Sequence, residues 1–145
     1  MEEDLNIKKA KGLLMVEINW LDVLGWQGEE LEDLRFVGYS YLKQGLYDTA
    51  ITFFEALVTL SPTSAYDVQT LGALYLQKGN NLMALNYLEK ALKLDPNHAP
   101  SLLNKTKALL SLGYKKQGLA QAKDLESSQD PAIANQAGAL FQAYS

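Results

Sequence analysis

Residues 38–60 read GYSYLKQGLYDTAITFFEALVTL, and residues 72–94 read GALYLQKGNNLMALNYLEKALKL. The two stretches share glycine at their first and eighth positions, tyrosine at the fourth, alanine at the thirteenth and leucine at the last, an interval of 34 residues from Gly38 to Gly72. An internal period of this length is typical of helical solenoids, in which each helix–turn–helix unit packs only against its neighbours. The repeat therefore predicts an all-α superhelix.

The glycines of the repeat occupy two kinds of position. Gly38 and Gly72 fall inside predicted helices, where glycine costs about 1 kcal/mol relative to alanine, so we expect a neighbouring helix to approach the backbone closely there. Gly45 and Gly79 fall where the first helix of each unit should end. The residue after a helix often adopts a positive φ, which glycine tolerates.

Prolines close the units. Pro62 and Pro96 cannot continue a helix, and they leave Ser64 or Asn97 as the expected N-cap of the next helix. The period divides most of the chain into three units, which are residues 31–64, 65–98 and 99–130.

The third unit follows the pattern less closely. Thr106 stands where the first two units have a small glycine, and Gly118 stands where they have alanine. We therefore expect the helices of this unit to pack more loosely. After Asp130 and Pro131, an apolar stripe at helical spacing predicts a C-terminal cap helix; its members are Ile133, Ala137, Leu140, Phe141 and Tyr144.

This pattern resembles the tetratricopeptide repeat, whose signature runs through a small residue, a large aromatic, glycine, alanine, a second aromatic, alanine and proline. Units one and two match it almost position for position, with Phe54 in the second helix of unit one and Leu88 and Ala91 in that of unit two. The resemblance implies a right-handed superhelix of about three repeats over residues 31–145, with residues 1–30 as a helical extension that caps the repeats or forms a dimer.

Composition favours one compact domain and argues against several functions. The chain has 145 residues, of which 48% are hydrophobic and 21% charged, enough for a continuous core. It has no cysteine, which excludes disulfides and thiolate metal ligands. The net charge of −4 and the scattered lysines argue against nucleic acid as a partner.

The segment before the repeats is unusually apolar. From residue 13 to residue 26 only Glu17, Asn19 and Asp22 are polar. The run is shorter than the roughly 20 apolar residues that a membrane span needs, and the acidic start of the chain is unlike a secretory leader. We expect one apolar helical stripe here, formed by Leu13, Val16, Ile18, Trp20, Leu21 and Leu24.

Two interpretations of this stripe compete. The helix could fold back on the first repeat as a cap, or it could bury its surface against a second chain, most simply in a two-fold dimer or in a complex with another protein. A hybrid, in which one face caps and the other associates, fits the width of the stripe best.

Side chains suited to catalysis are scarce. His98 is the single histidine, and its place in a turn between units favours a solvated loop residue over a base or metal ligand. The acidic cluster from Glu29 to Asp33 suits the positive end of a helix dipole better than a metal site. We therefore expect no enzyme activity, no metal and no cofactor.

The expected function is recognition of another protein. As the family resemblance implies, the first helix of each unit lines the concave side of the superhelix. The register then predicts a largely apolar peptide groove lined by Arg35, Tyr39, Leu42, Lys43, Tyr66, Gln69, Ala73, Leu76, Leu103, Lys107 and Leu110. Such a groove suits an amphipathic helix or an extended apolar segment. Tyr39 and Ala73 break the pattern of family members that grip a terminal carboxylate.

A narrower resemblance rests on residues 30–57. The stretch ELEDL, then GYSY, then QGLYDTAI and FEAL is similar to the first repeat of bacterial type III secretion class II chaperones. That family is small, acidic and cytoplasmic, with three repeats and a dimerising N-terminal helix. The resemblance implies a chaperone that sequesters a membrane-inserting translocator, or alternatively the aggregation-prone needle subunit.

A constitutive scaffold that joins folded partners, with no role in export, is the competing function. The state of the bound protein separates the two, because a chaperone should hold a segment that aggregates when it is alone. An enzyme remains a remote third alternative.

Overall fold

The structure is a computed structural model, and it describes residues 19–145. Within this range the chain forms eight α-helices and no strand. The helices are α1 (Trp20–Leu24), α2 (Gly28–Lys43), α3 (Tyr47–Leu60), α4 (Ala65–Gln77), α5 (Asn81–Leu94), α6 (Ala99–Ser111), α7 (Lys115–Leu125) and α8 (Pro131–Tyr144). The predicted all-α fold is confirmed.

Most of the predicted helix ends agree with the structure. Gly45 and Gly79 follow α2 and α4 with φ of 76° and 81°, in the left-handed region that glycine tolerates. Ser64 caps α4, because its hydroxyl accepts a hydrogen bond from the Asp67 N–H at 3.3 Å. The expectation for Asn97 was wrong: α6 begins one residue later, with His98 at its N-cap.

Each helix from α2 onward packs against the next one in the sequence, and α4 also packs against α6 and α6 against α8. The first helices of successive units are thus neighbours, as a superhelix of stacked helix pairs requires. The arrangement places α4, α6 and α8 side by side on one face.

The glycines inside the first helices lie where a second helix crosses closely. A Cβ added at Gly38 would lie 3.0 Å from Phe53 Cβ, and one at Gly72 would lie 2.8 Å from Leu88 Cγ. Phe54 and Leu88 are fully buried against these positions. The predicted close approach in units one and two is confirmed.

The prediction that the third unit packs loosely was wrong. Thr106 is fully buried, and its hydroxyl lies 2.8 Å from the Leu102 carbonyl oxygen and 2.9 Å from Gln121 Oε1. Gly118 provides the close approach instead, since a Cβ there would lie 2.5 Å from Leu110 Cδ2. The small residue has moved from the first helix of the unit to the second, and a leucine on the first helix fills the space.

The N-terminal stripe does not run through the described residues as one long helix. Asn19 is the N-cap of α1, and its side chain accepts a hydrogen bond from the Asp22 N–H at 3.3 Å. The helix ends at Gly25, which has a φ of 67°. Of the predicted stripe, Leu13, Val16 and Ile18 lie outside the described residues.

The described part of the stripe has one packed side and one open side. Leu21 packs against the core formed by α2, α3 and α4, whereas Trp20, Val23 and Leu24 are exposed.

The acidic cluster lies at the N-terminus of α2, as expected. There the Glu30 carboxylate accepts a hydrogen bond from the Gln27 N–H at 2.8 Å in a capping box.

The C-terminal helix α8 covers the last unit. Ile133 and Ala137 are buried with Leu103 of α6 and Leu125 of α7, and Leu140 packs beside them. Here the cap helix takes the place that the first helix of a fourth unit would have.

Candidate binding groove

Two depressions lie along the helices that are the first of each unit. The N-terminal depression has a volume of about 250 Å³, lies between α2 and α4, and is lined by Glu32, Arg35, Phe36, Tyr39 and Tyr66. The C-terminal depression has a volume of about 370 Å³, lies among α4, α5, α6 and α8, and is lined by Ala73, Leu76, Gln77, Asn81, Asn104, Lys107, Ser111, Leu140 and Tyr144. Together they form the candidate binding groove.

Six of the predicted peptide-binding residues line this groove. Arg35, Tyr39 and Tyr66 belong to the N-terminal depression, and Ala73, Leu76 and Lys107 to the C-terminal one.

Three other predicted residues, Leu42, Gln69 and Lys43, lie on the same helices as the groove residues. Leu42 is partly buried and packs against the first core cluster. Gln69 is 9% exposed, and the Lys43 ammonium lies 5.4 Å from the centre of the Tyr39 ring. None of these three side chains lines either depression.

Leu103 and Leu110 belong to the core. Leu103 is 5% exposed, because Ile133 and Ala137 of α8 cover it, and Leu110 is 4% exposed against Gly118. Their expected role as exposed apolar anchors is corrected by this burial. The register placed them on the correct helix, but the cap helix occupies the space in front of Leu103.

Arg35 is held by an ion pair across the groove. Its Nε donates to Asp67 Oδ1 and its Nη2 to Asp67 Oδ2, both at 2.7 Å, and Asp67 is fully buried in the first turn of α4. The guanidinium also contacts Glu32. Hydrogen bonding to Asp67 raises the pKa of Arg35 above its usual range. The Arg35 side chain therefore links α2 to α4. Because two of its N–H groups already bind Asp67 and a third contacts Glu32, few donors remain for a ligand.

Sequence reasoning did not identify Asp67. A signal was available, because Asp67 is the third residue of unit two and Arg35 the fifth of unit one, on first helices of adjacent units. A buried carboxylate at the first turn of a helix is also consistent with the helix dipole.

Aromatic rings dominate the rest of the N-terminal depression. Phe36 is 75% exposed, and Tyr39 and Tyr66 are 36% and 44% exposed. The pKa of Tyr66 is raised to about 12. Burial of the side chain is the larger cause, and the hydrogen bond with the phenol of Tyr39 is the second. The three rings thus offer flat, uncharged apolar surface at ordinary pH, beside the charged Glu32 and Arg35.

Lys107 gives the other end a different character. Its ammonium donates a hydrogen bond to Gln136 Oε1 of α8 at 3.0 Å. Burial lowers the pKa of Lys107. The nine residues that line the C-terminal depression include no aspartate or glutamate.

Helix α8 contributes to the groove as well as capping it. Leu140 and Tyr144 form one wall of the C-terminal depression, opposite Leu76. These residues were predicted as a cap only. Their groove-facing role follows from α8 packing beside α6, which the sequence stripe alone does not specify.

His98 lies in the connection between α5 and α6, as predicted, but it is half-buried and caps α6. Its Nδ1 lies 2.7 Å from the hydroxyl of Ser101, which is fully buried in the first turn of α6.

Across residues 19–145 no group of three or more histidine and acidic side chains could hold a metal ion. None of the helices in that range has both the length and the apolar character to cross a membrane.

The repeat region matches a known family. A family model described as "Anaphase-promoting complex, cyclosome, subunit 3" matches residues 43–125. The chain belongs to this family. A further relative, the Arabidopsis thaliana "Protein CTR9 homolog", is 35% identical over 75 residues, which make up 52% of this chain but only 7% of the length of that relative.

Solved structures match over most of the chain. PcrH of Pseudomonas aeruginosa, in complex with the chaperone binding region of PopD, is 27% identical with a TM-score of 0.74, and the match covers 83% of this chain and 94% of that one. A T3SS complex from Aeromonas hydrophila has a TM-score of 0.77 at 20% identity and covers 94% and 95%. The predicted resemblance to tetratricopeptide proteins and type III secretion class II chaperones is confirmed.

Proposed function

We propose that this protein is a bacterial, cytoplasmic type III secretion chaperone that holds an aggregation-prone amphipathic segment of a secreted translocator or needle subunit in its groove. The observation that carries the proposal is the groove itself, whose exposed tyrosines and apolar walls lie on a fold like that of PcrH, which was solved with the chaperone binding region of PopD. Residues 31–145 would form the binding domain and residues 1–30 the associating extension.

The physical basis is the covering of apolar surface. An amphipathic segment left free in water exposes one face that drives polymerisation or membrane insertion. Each Å² of apolar area that the groove covers stabilises the complex by about 25 cal/mol, before the cost of association is subtracted. The process needs no nucleotide and no catalysis, in agreement with the proposal that the protein is not an enzyme and binds no cofactor.

Self-association is proposed to use the N-terminal extension. The packed Leu21 and the exposed Trp20 and Leu24 support the hybrid arrangement, in which one side of α1 caps the repeats and the other side meets a partner. Leu24→Glu should then shift the protein to a smaller species in light scattering after gel filtration. An unchanged mass would place the interface elsewhere.

A second candidate is a constitutive scaffold. It is favoured by the family match, because the family is named for a subunit of a large complex. In that case the partners would be stable folded proteins.

Affinity capture of the tagged protein from its native cytosol, followed by mass spectrometry, tests the proposal. The chaperone requires recovery of a translocator or needle subunit that aggregates when expressed alone. Recovery of only stable, folded assembly components would support the scaffold and reject the chaperone.

Groove variants then locate the site. The double variant Tyr39→Ala/Tyr66→Ala, and separately Leu76→Asp, should weaken client binding at least tenfold while helicity is retained. Tyr114→Ala is the matched control, since Tyr114 is 57% exposed at the start of α7 and lines neither groove depression. Leu42 is unsuited to this test, because it packs against the core. Binding that survives both groove variants would place the site on another face.

A further inference from the structure

The C-terminal depression contains a half-buried ammonium without a counter-charge on the described part of the chain. Among the other described basic residues, Arg35, Lys78 and Lys123 pair with carboxylates, Lys43 and Lys90 lie over tyrosine rings, Lys93, Lys115 and Lys116 are exposed, and Lys105 is partly exposed outside the depression. Lys107 instead has a single neutral partner, the side-chain oxygen of Gln136. Its position is therefore costly for a charge taken partly out of water.

The surroundings of Lys107 suit an anion carried on an apolar segment. The walls are Leu76, Leu140 and the ring of Tyr144, and the polar groups beside them are the amide of Asn104 and the hydroxyl of Ser111. Amides and hydroxyls can donate to the second oxygen of a carboxylate. Apolar walls lower the local dielectric and strengthen an ion pair that forms between them.

We infer that the C-terminal depression is a carboxylate-recognition site, in which the Lys107 ammonium donates to an aspartate or glutamate side chain of the bound protein segment. This inference rests on the proposed function and adds the chemistry that the segment must carry. In the absence of a ligand, Gln136 would accept the hydrogen bond of the ammonium. A bound carboxylate, which is a stronger acceptor because it is charged, would replace it.

The inference also gives the bound segment a direction. At the opposite end of the groove, Asp67 already occupies the guanidinium of Arg35, and Phe36, Tyr39 and Tyr66 present neutral rings. A segment with an apolar anchor at one end and an acidic residue at the other matches both depressions in one orientation only. Because the net charge of the chain is −4, a local cation favours the binding of such an acidic residue.

The experiment uses short synthetic amphipathic peptides in matched pairs that differ only by Glu or Gln at a single position, varied along the peptide. Binding to the full chain is measured by fluorescence anisotropy at low and moderate salt. We expect at least one Glu peptide to bind wild type about tenfold more tightly than its Gln partner, as a charge-assisted hydrogen bond in a partly apolar site should provide. Lys107→Met should abolish that difference, and Lys107→Glu should bind the Gln peptide better than the Glu peptide.

Lys105→Met is the matched control, because Lys105 is on the same helix but does not line the depression. It should keep the full preference for Glu. Equal binding of Glu and Gln peptides to wild type would overturn the carboxylate site while leaving the chaperone function intact. Absence of binding by every peptide would overturn the site as well, and capture of the native client would then decide the proposed function separately. Circular dichroism of each variant excludes loss of folding as the cause.

Discussion

Arg35 and Lys107 stand at opposite ends of one groove, and the fold uses them differently. Both are basic residues that the repeat register assigns to the concave side. Arg35 is paired with the buried Asp67 of the neighbouring first helix, whereas among residues 19–145 Lys107 has only the neutral Gln136 of α8 as a hydrogen-bond partner. A basic residue in a groove is thus structural or available according to what the next helix places opposite it. Register alone does not distinguish the two.

We expect the largest effect from the substitution Arg35→Met. Removal of the guanidinium leaves the fully buried Asp67 carboxylate unpaired, which should lower the free energy of unfolding by about 3–5 kcal/mol. Urea denaturation measures this change in the free energy of unfolding. The double variant Arg35→Met/Asp67→Leu should recover most of the loss, because an apolar pair replaces the ion pair. A single variant within about 1 kcal/mol of wild type would show that Arg35 is not structural.

Gly118→Ala tests the packing that positions the Lys107 end. The added methyl would lie 2.5 Å from Leu110 Cδ2, so the buried Leu110 side chain must move or α6 and α7 must separate. We expect a loss of about 1–3 kcal/mol, as for other overpacked cores. Gly138→Ala is the control, because a methyl there meets nothing closer than 3.8 Å and should stabilise α8 by up to about 1 kcal/mol. Equal effects of the two substitutions would contradict the close approach at Gly118.

Lys107→Met should change stability little, in contrast to Arg35→Met. The free energy of unfolding at neutral pH should stay within about 0.5 kcal/mol of wild type or rise above it. Because burial lowers the pKa of Lys107, the unfolded chain binds its proton more tightly than the folded one. The cost of the buried charge is therefore present at neutral pH and fades as the pH rises toward the ordinary lysine pKa of about 10.4.

Urea unfolding of wild type and Lys107→Met at several pH values measures that trend. Any advantage of the variant should shrink as the pH increases. A large loss of stability at neutral pH would instead mean that Lys107, like Arg35, holds the fold together.

The smallest expected effect concerns the neutral end of the groove. Tyr39→Phe removes the phenol beside Tyr66, and the pKa of Tyr66 should fall from about 12 toward its ordinary value without returning to it, because burial is the larger cause. Ultraviolet or NMR titration of the tyrosines measures the shift. An unchanged pKa would mean that the two phenols do not interact.

Much of the fold could be predicted from residues that repeat. Gly38, Gly72, Gly45 and Gly79 mark close approaches and helix ends through properties that only glycine has, so their spacing alone identifies the units. The packing of the third unit does not follow from Thr106 or Gly118 taken singly. The compensation between Gly118 and Leu110 spans two helices and follows no local rule.

The sequence by itself determined the helical repeat and most of the helix ends, because these depend on spacing along the chain and on local backbone preferences. The tertiary structure alone decided which groove residues are free. The pairing of Arg35 with Asp67, the burial of Leu103 under α8 and the exposure of Lys107 to the depression all depend on contacts between segments far apart in sequence. Charge neutralisation and desolvation act between groups that are close in space, so only the folded chain shows which charged side chains have no opposite charge beside them.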